Sequence, residues 1–307
     1  MNRKDEKFLK SWKEAKDRKP LLIRGARQVG KTYLIKKFAK KEFNNRYHFI
    51  DLKQRPNLHS IFAEQGDPKS IIKLLSISLR QNINIEKDLL IIDEIQECPK
   101  AVSSLKAFQE LMPQLNLIAS GSHIGLVDNE ATFPVGKINI RYIHPFTFSE
   151  FLEATNKQLF EYYHSLKMAE FAKIPDFIHQ ELLSQLNIYF AVGGMPEVIN
   201  QYTDEFLISK NQSSLIKTRQ RQKELIEGYK GDFSKYSGVN NANHILRVFE
   251  SIPSQLSMVQ DESVKRYQFK NAIPKNKKFE RVSGPLSWLT MAGLAIKNKI
   301  SSDATHP

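Results

Sequence analysis

The 307-residue chain has a single cysteine, Cys98, so no intramolecular disulfide can form. It has no apolar run approaching the ~18 residues that a membrane span needs. The N-terminus, Met1-Asn2-Arg3-Lys4-Asp5-Glu6-Lys7, is charged and leads into no apolar signal core. These absences exclude a disulfide-stapled secreted scaffold and a membrane-spanning chain, and they point to the cytoplasm. The eight histidines show no metal-like spacing, and no internal repeat or low-complexity tract is present. Acid is also scarce: 33 Asp and Glu stand against 46 Lys and Arg, a formal charge of +13. That balance favours nucleic acid or another polyanion as a partner; equally, it describes a lysine-rich surface that keeps the protein in solution. One concentration lies at residues 275–281, where Lys275, Lys277, Lys278 and Arg281 face only Glu280. Hydrophobic residues at 41% and charged residues at 26% are ordinary for a globular protein, so disorder is not the expectation.

The first half alternates short apolar runs with longer helical patterns, which reads as α/β. Strands are expected at 21–24, 47–51, 89–92, 116–120 and 138–142, with helices at 31–42, 70–81 and 101–111 between them. The strands are rich in Ile and Leu with little alternation, as in parallel strands covered on both faces. From Thr147 the pattern turns helical: Phe148, Phe151 and Leu152 share a face, and so do Leu182, Leu183, Leu186, Tyr189 and Phe190. The loop Val192-Gly193-Gly194-Met195-Pro196 interrupts this region, and a polar helix with Lys217, Arg219, Arg221 and Lys223 follows near 213–228. Beyond it, short helices over 244–249 and 252–256, then 279–289 and a β-like 293–296, suggest a winged-helix-like segment. The expected organisation is an N-terminal helix (1–20), an α/β core with a five-stranded, mainly parallel sheet (21–155), which the loop Gly25 to Thr32, a G-x-x-x-x-G-K-[ST] string, marks as a P-loop NTPase, a helical lid (156–238) and the winged-helix-like segment (239–307).

Gly25-Ala26-Arg27-Gln28-Val29-Gly30-Lys31-Thr32 fits G-x-x-x-x-G-K-[ST]. It follows the apolar Leu21-Leu22-Ile23 and opens a helix, so backbone N–H groups and the positive helix end would face a phosphate chain. Lys31 is expected to reach the β- and γ-phosphates of ATP, and the Thr32 hydroxyl to ligate Mg²⁺. Leu89-Leu90-Ile91-Ile92-Asp93-Glu94 delivers two acids at a strand end, where open α/β sheets present their ligands. Asp93 is expected to hold Mg²⁺, and Glu94 to polarise the attacking water. The three Asn-Lys steps, at 156, 276 and 298, lack the Asp of a guanine-reading Asn-Lys-x-Asp, so ATP is preferred over GTP. The strand Asn116-Leu117-Ile118-Ala119-Ser120-Gly121-Ser122 is expected between the other two. Its Ser120 or Ser122 serves either as a γ-phosphate sensor or as a cap of the following turn. Cys98 reads as a small packing residue.

Several stretches resemble one large group of prokaryotic AAA-type ATPases, described as ATP-binding proteins with a C-terminal domain of unknown function. They are Arg18-Lys19-Pro20-Leu21 leading into the phosphate loop, Asp93-Glu94-Ile95-Gln96, Ser120-Gly121-Ser122, Phe133-Pro134-Val135-Gly136-Lys137 and His144-Pro145-Phe146-Thr147-Phe148-Ser149-Glu150-Phe151. Gly193-Gly194-Met195-Pro196-Glu197, Asp232-Phe233-Ser234-Lys235, Ile252-Pro253-Ser254-Gln255-Leu256 and Trp288-Leu289 continue the match to near the end of the chain. The resemblance implies an ATPase core, a lid and a winged-helix-like part, usually followed by a restriction-endonuclease-like domain. The acid and lysine signature of that last domain is absent before Pro307, so the chain is expected to be a shortened member or a fragment, and no nuclease activity is carried over. Arg141, at the end of the fifth strand, is the candidate arginine finger, ahead of Arg27; Lys137 stands where some relatives carry arginine. The resulting expectation is an ATP- and Mg²⁺-dependent ATPase driving a switch on a DNA, nucleic-acid or protein partner, with a homo-oligomer among the expected assemblies and no membrane association. The rival is a DNA-binding regulator whose nucleotide site sets conformation without turnover.

Overall fold

Three strands, β1 (Leu21–Arg24), β3 (Leu89–Asp93) and β4 (Asn116–Gly121), are buried almost end to end. The flanking strands β2 (Tyr47–Asp51) and β5 (Asn139–Tyr142) alternate buried or half-buried with more exposed positions. Both patterns follow from one sheet with order β2-β3-β4-β1-β5 and every pairing parallel. Central strands are covered on both faces, and edge strands only in part. The order places β4 between β1 and β3, as expected. The computed structural model describes residues 3–64, 66–122, 134, 136–166, 174–209, 212–237, 239–257, 267–268, 272 and 280–298.

Strand parity sorts the two faces. Leu22, Ile50, Leu90, Ile92, Leu117 and Ala119 point to one side, into a core closed by α3 (His59–Glu64), α4 (Pro68–Leu79) and α5 (Pro99–Leu111). Burying each large aliphatic side chain there contributes about 1.5–3 kcal/mol. Cys98 lies in this core as the packing residue expected, and burial pushes its thiol pKa up. Against the opposite face lies α2 (Lys31–Glu42), which buries Leu34, Ile35 and Phe38 and carries Lys36 over the ring of Phe49 at 3.6 Å. Next to it α1 (Asp5–Glu14) buries Leu9 and Trp12, with the indole N–H donating to Lys19 O at 2.9 Å.

Two helices begin two residues before their expected starts. In α4 the Asp67 carboxylate accepts from Ser70 N and Pro68 takes the first position; α5 likewise opens on Pro99. Proline is at home at a helix start because its missing N–H has no intrahelical partner there.

The chain continues through α6 (Phe148–Thr155), α7 (Lys157–Ser165), α8 (Asp176–Val192), α9 (Pro196–Ser209) and α10 (Gln212–Ser237). Thr147 opens α6 with a capping box shared with Glu150. Phe146, Phe151, Val198, Ile199 and Tyr202 form a separate small core for these helices. The Gly193-Gly194 turn is required sterically. A Cβ on Gly194 would lie 2.3 Å from Phe146 O, and Gly194 O accepts from Phe146 N at 2.7 Å.

The chain divides into two compact units, residues 1–225 and 226–307, with the division inside α10. The second unit holds the end of α10, α11 (Val239–Ser257) and α12 (Glu280–Met291). Its centre is aromatic: Phe233 meets the rings of Trp288 and Phe249 edge-on, at 5.3 and 5.5 Å. The two short helices expected over 244–256 are one helix, with Pro253 inside it. Proline forfeits a single backbone bond close to the C-terminal end, so the helix runs on for one more turn. No strand occurs among the described residues of this unit. The stretches that would carry a wing, and most of the basic run at 275–281, lie outside the described residues.

Candidate functional site

The turn from β1 into α2 needs an unusual backbone. Gly25, Gln28 and Gly30 have φ of 150°, 65° and 89°. At Gly25 only glycine fits, because a Cβ would lie 2.2 Å from Ile143 O. Gly30 occupies the position before α2 and offers no side-chain cap, so the first-turn N–H groups of the helix are left for a ligand. An anion is the natural occupant.

The side chains expected around such an anion converge. Asp93 and Ser120 lie on the same face as Ile91 and Ile118, two residues along each strand, and this is the α2 face. Thr32, on the first turn of α2, therefore meets them: its hydroxyl donates to Asp93 Oδ2 at 2.6 Å. Ser120 donates to Asp93 Oδ1 at 2.5 Å, and Glu94 N to the same oxygen at 3.1 Å. The Ser120 hydroxyl is thus spent on the acid, while Ser122 lies buried just past the strand. A hydroxyl and a carboxylate this close form a hard, oxygen-only pair that could hold Mg²⁺.

Lys31 is buried, and its ammonium donates to Gly25 O and Ala26 O, both at 2.9 Å. Burial lowers its pKa from 10.5 to about 8; Glu94 and Asp93 oppose the shift, and Arg27 adds to it. A phosphate entering here would take the ammonium over from the two carbonyls and favour its charged form. The sign follows. Below about pH 8 the ammonium is already charged, and nucleotide would bind without proton uptake. Above it, binding must first protonate the lysine, and affinity should fall about tenfold per pH unit. Calorimetric titrations with ATP at pH 7, 8 and 9, in buffers of different ionisation enthalpy, should show that loss together with proton uptake that appears only above about pH 8.

Glu94 has φ of 51°, a left-handed conformation that costs a non-glycine residue about 1–3 kcal/mol and clusters at functional sites. Its carboxylate is held by Gln96 Nε2 at 2.5 Å. Arg141 is placed elsewhere: its Nε and Nη2 reach Asp5 at 2.7 and 2.6 Å, and its guanidinium lies 4.6 Å from the Phe8 ring centroid, tying β5 to α1. Arg27 remains within the loop, beside Lys31.

One residue at the loop had no signal in the sequence. Arg3 donates to Val29 O and, at 2.6 Å, to His144 O, and its guanidinium sits 4.0 Å over Phe146. A Cβ on Gly30 would meet Pro196 Cγ at 3.5 Å and Arg3 Nη2 at 3.6 Å, so the start of α9 and the N-terminal segment both abut the loop. Gln96, by contrast, lies within the Asp93-Glu94-Ile95-Gln96 motif, but its grip on Glu94 is a matter of geometry.

Residues 17–152 match an AAA domain family, and residues 183–301 a domain of unknown function, DUF8612. No curated protein matches the chain. Among solved structures, AMPPCP-bound DnaA from Aquifex aeolicus is similar at 12% identity and a TM-score of 0.43, over 94% of this chain and 89% of that one. The Aeropyrum pernix ORC1 protein in complex with DNA has 13% identity and a TM-score of 0.37, over 94% and 81%. Drosophila ORC bound to DNA has 13% identity and a TM-score of 0.36, over 97% and 81%. Among the described residues no helix is long and apolar enough to cross a membrane.

Proposed function

We propose, from the match of residues 17–152 to an AAA domain family, that the chain is a Mg²⁺-dependent ATPase acting as a switch on a nucleic-acid or protein partner. The observation that carries the reading is the convergence of Thr32, Ser120 and Glu94 N on Asp93 beside the open N-terminus of α2. The loop N–H groups and Lys31 would hold the β- and γ-phosphates. Thr32 and Asp93 would hold the metal, which when bound neutralises charge developing on the transferred phosphoryl group. Glu94, steadied by Gln96, would take a proton from the attacking water and aim its oxygen at the γ-phosphorus. Ser120 would sense the γ-phosphate through Asp93. Pro196 beside Gly30 gives the helical segment after residue 156 a direct contact with the loop, a route from nucleotide state to conformation.

One observation favours the rival, a nucleotide-controlled DNA-binding regulator without turnover: the candidate finger Arg141 is already engaged by Asp5. An arginine finger is worth about 10³-fold or more in rate. If it comes from a second copy, an isolated subunit binds ATP yet turns it over slowly. ATP turnover should be followed across a wide range of protein concentration, with and without DNA, with mass measured in parallel. Specific activity per subunit should rise with concentration or on adding DNA. Nucleotide-dependent DNA binding with no turnover at any concentration would establish the rival. Full activity from a strict monomer would place the arginine in cis.

A further inference from the structure

A second site lies away from the phosphate loop. A cleft of about 630 Å³ opens between α1, the C-terminal end of α2 and the α6–α7 pair. One wall is a row: Lys4, Lys7 and Lys10 recur every three residues, and each falls on the cleft side of the N-terminal segment and α1. At 1.5 Å of rise per residue the row is roughly 9 Å long. Lys41, at the end of α2, adds a fourth ammonium.

The charge in the cleft does not cancel. None of these four lysines has an ion-pair partner among the described residues. All four carboxylates on the walls are already engaged. Glu6 pairs with Lys37 at 2.6 Å, and Glu42 with Lys13 at 3.5 Å. Glu150 accepts from Thr147 N at 2.9 Å and from Lys4 N at 3.1 Å; Glu153 is the fourth. What remains is a line of ammonium groups, not a convergent nest. A single phosphate calls for donors that close on one point, whereas a line suits a chain of phosphates.

The opposite wall is aromatic. Phe160 and His164 lie with ring centroids 4.4 Å apart and planes tilted by 55°. Ser149 fixes the imidazole through a 2.6 Å contact to its Nε2. Phe160 is half-buried and His164 exposed, and a basic track beside aromatic rings is the arrangement that binds single strands, because unpaired bases stack where a duplex keeps its bases inside.

We infer that this cleft is a groove for single-stranded nucleic acid, and that its occupancy is felt at the phosphate loop through Arg3. Arg3 lines the cleft and also donates to Val29 O, so one side chain belongs to both places. The inference rests on the ATPase reading only for this coupling; the groove itself does not need it.

The test uses a fluorescein-labelled oligodeoxythymidine of about 15 nucleotides, near the site sizes of such grooves, with the full chain followed by fluorescence anisotropy. Lys7→Glu with Lys10→Glu should weaken binding at least about tenfold. It should also make the dependence of log affinity on log salt shallower, by about 0.7 for each phosphate left without its ammonium. Phe160→Ala should weaken binding about tenfold at unchanged salt slope, since it removes stacking and no charge. Both proteins should bind a fluorescent ATP analogue like wild type. Loss of oligonucleotide alone is therefore assigned to the groove, and loss of ATP binding in the wild type counts against the ATPase reading instead. In the wild type, saturating oligonucleotide should shift ATP affinity by roughly fivefold or more, with the reciprocal shift on oligonucleotide. An affinity within twofold of wild type in the charge-reversed protein overturns the groove. So does binding to duplex DNA or to phosphatidylglycerol vesicles with none to the single strand. An ATP affinity indifferent to bound oligonucleotide overturns the coupling.

Discussion

A Lys31→Ala protein should bind ATP at least about 100-fold more weakly than wild type while melting at the same temperature or slightly higher. The two halves of this result have one cause. The ammonium is buried against Gly25 O and Ala26 O, and its pKa near 8 records a cost of keeping a charge there. Alanine removes that cost from the nucleotide-free protein, so folding loses little. With ATP bound the same ammonium would meet phosphate oxygens, and a hydrogen bond involving a charged group is worth about 1.5–3 kcal/mol. Two such bonds correspond to roughly 10²-fold or more in affinity. Titration with a fluorescent ATP analogue, beside thermal unfolding of both proteins, measures the two effects separately. Unchanged affinity in a folded Lys31→Ala protein would remove the phosphate site from this loop.

The parts of the molecule legible in the sequence are those whose cause is local or periodic. The strands at 21–24 and 47–51 and the helix at 31–42 appear with the expected bounds, because runs of Leu and Ile and a 3.6-residue rhythm are written along the chain. The phosphate loop is eight consecutive residues, so its left-handed Gly30 and inward Lys31 need no distant partner to be foreseen. Asp93 and Ser120 come from different strands, yet their meeting is implied once the sheet order is known, since parity puts both on the α2 face.

What was not legible joins distant residues by contacts that leave no pattern. Arg3 at Val29 O spans 26 residues, and Asp5 at Arg141 spans 136; nothing in the charged N-terminus marks either arginine-mediated tie. The second of them changes the standing of Arg141, which in sequence is a basic residue at a strand end and in the fold is the partner of an α1 carboxylate. Pro253 misled in the other direction. A proline suggests a break, but this close to a helix end it forfeits a single backbone hydrogen bond, and the helix continues to Ser257.

Glu94→Gln separates binding from chemistry at this site. The variant should hold ATP with Mg²⁺ at wild-type affinity and hydrolyse it about 10²- to 10⁴-fold more slowly, the range that a positioned general base contributes. Shape is conserved: glutamine keeps an oxygen that can accept from Gln96 Nε2, and it tolerates the left-handed backbone no worse than glutamate. The proposed Mg²⁺ pair is untouched, because Thr32 and Ser120 contact Asp93 and not Glu94. What disappears is the basic oxygen that takes the proton from water, while the amide can still occupy the same space. Single-turnover hydrolysis under saturating enzyme reads the chemical step alone, and an ATP titration on the same sample reads binding. A proportional loss of both would mean that Glu94 supports the bound nucleotide and not the reaction. Unchanged hydrolysis would assign the base to another side chain. If instead binding persists and turnover stops, the variant is a trap for the ATP-bound state, in which the response of the single-strand groove to nucleotide can be measured without hydrolysis intervening.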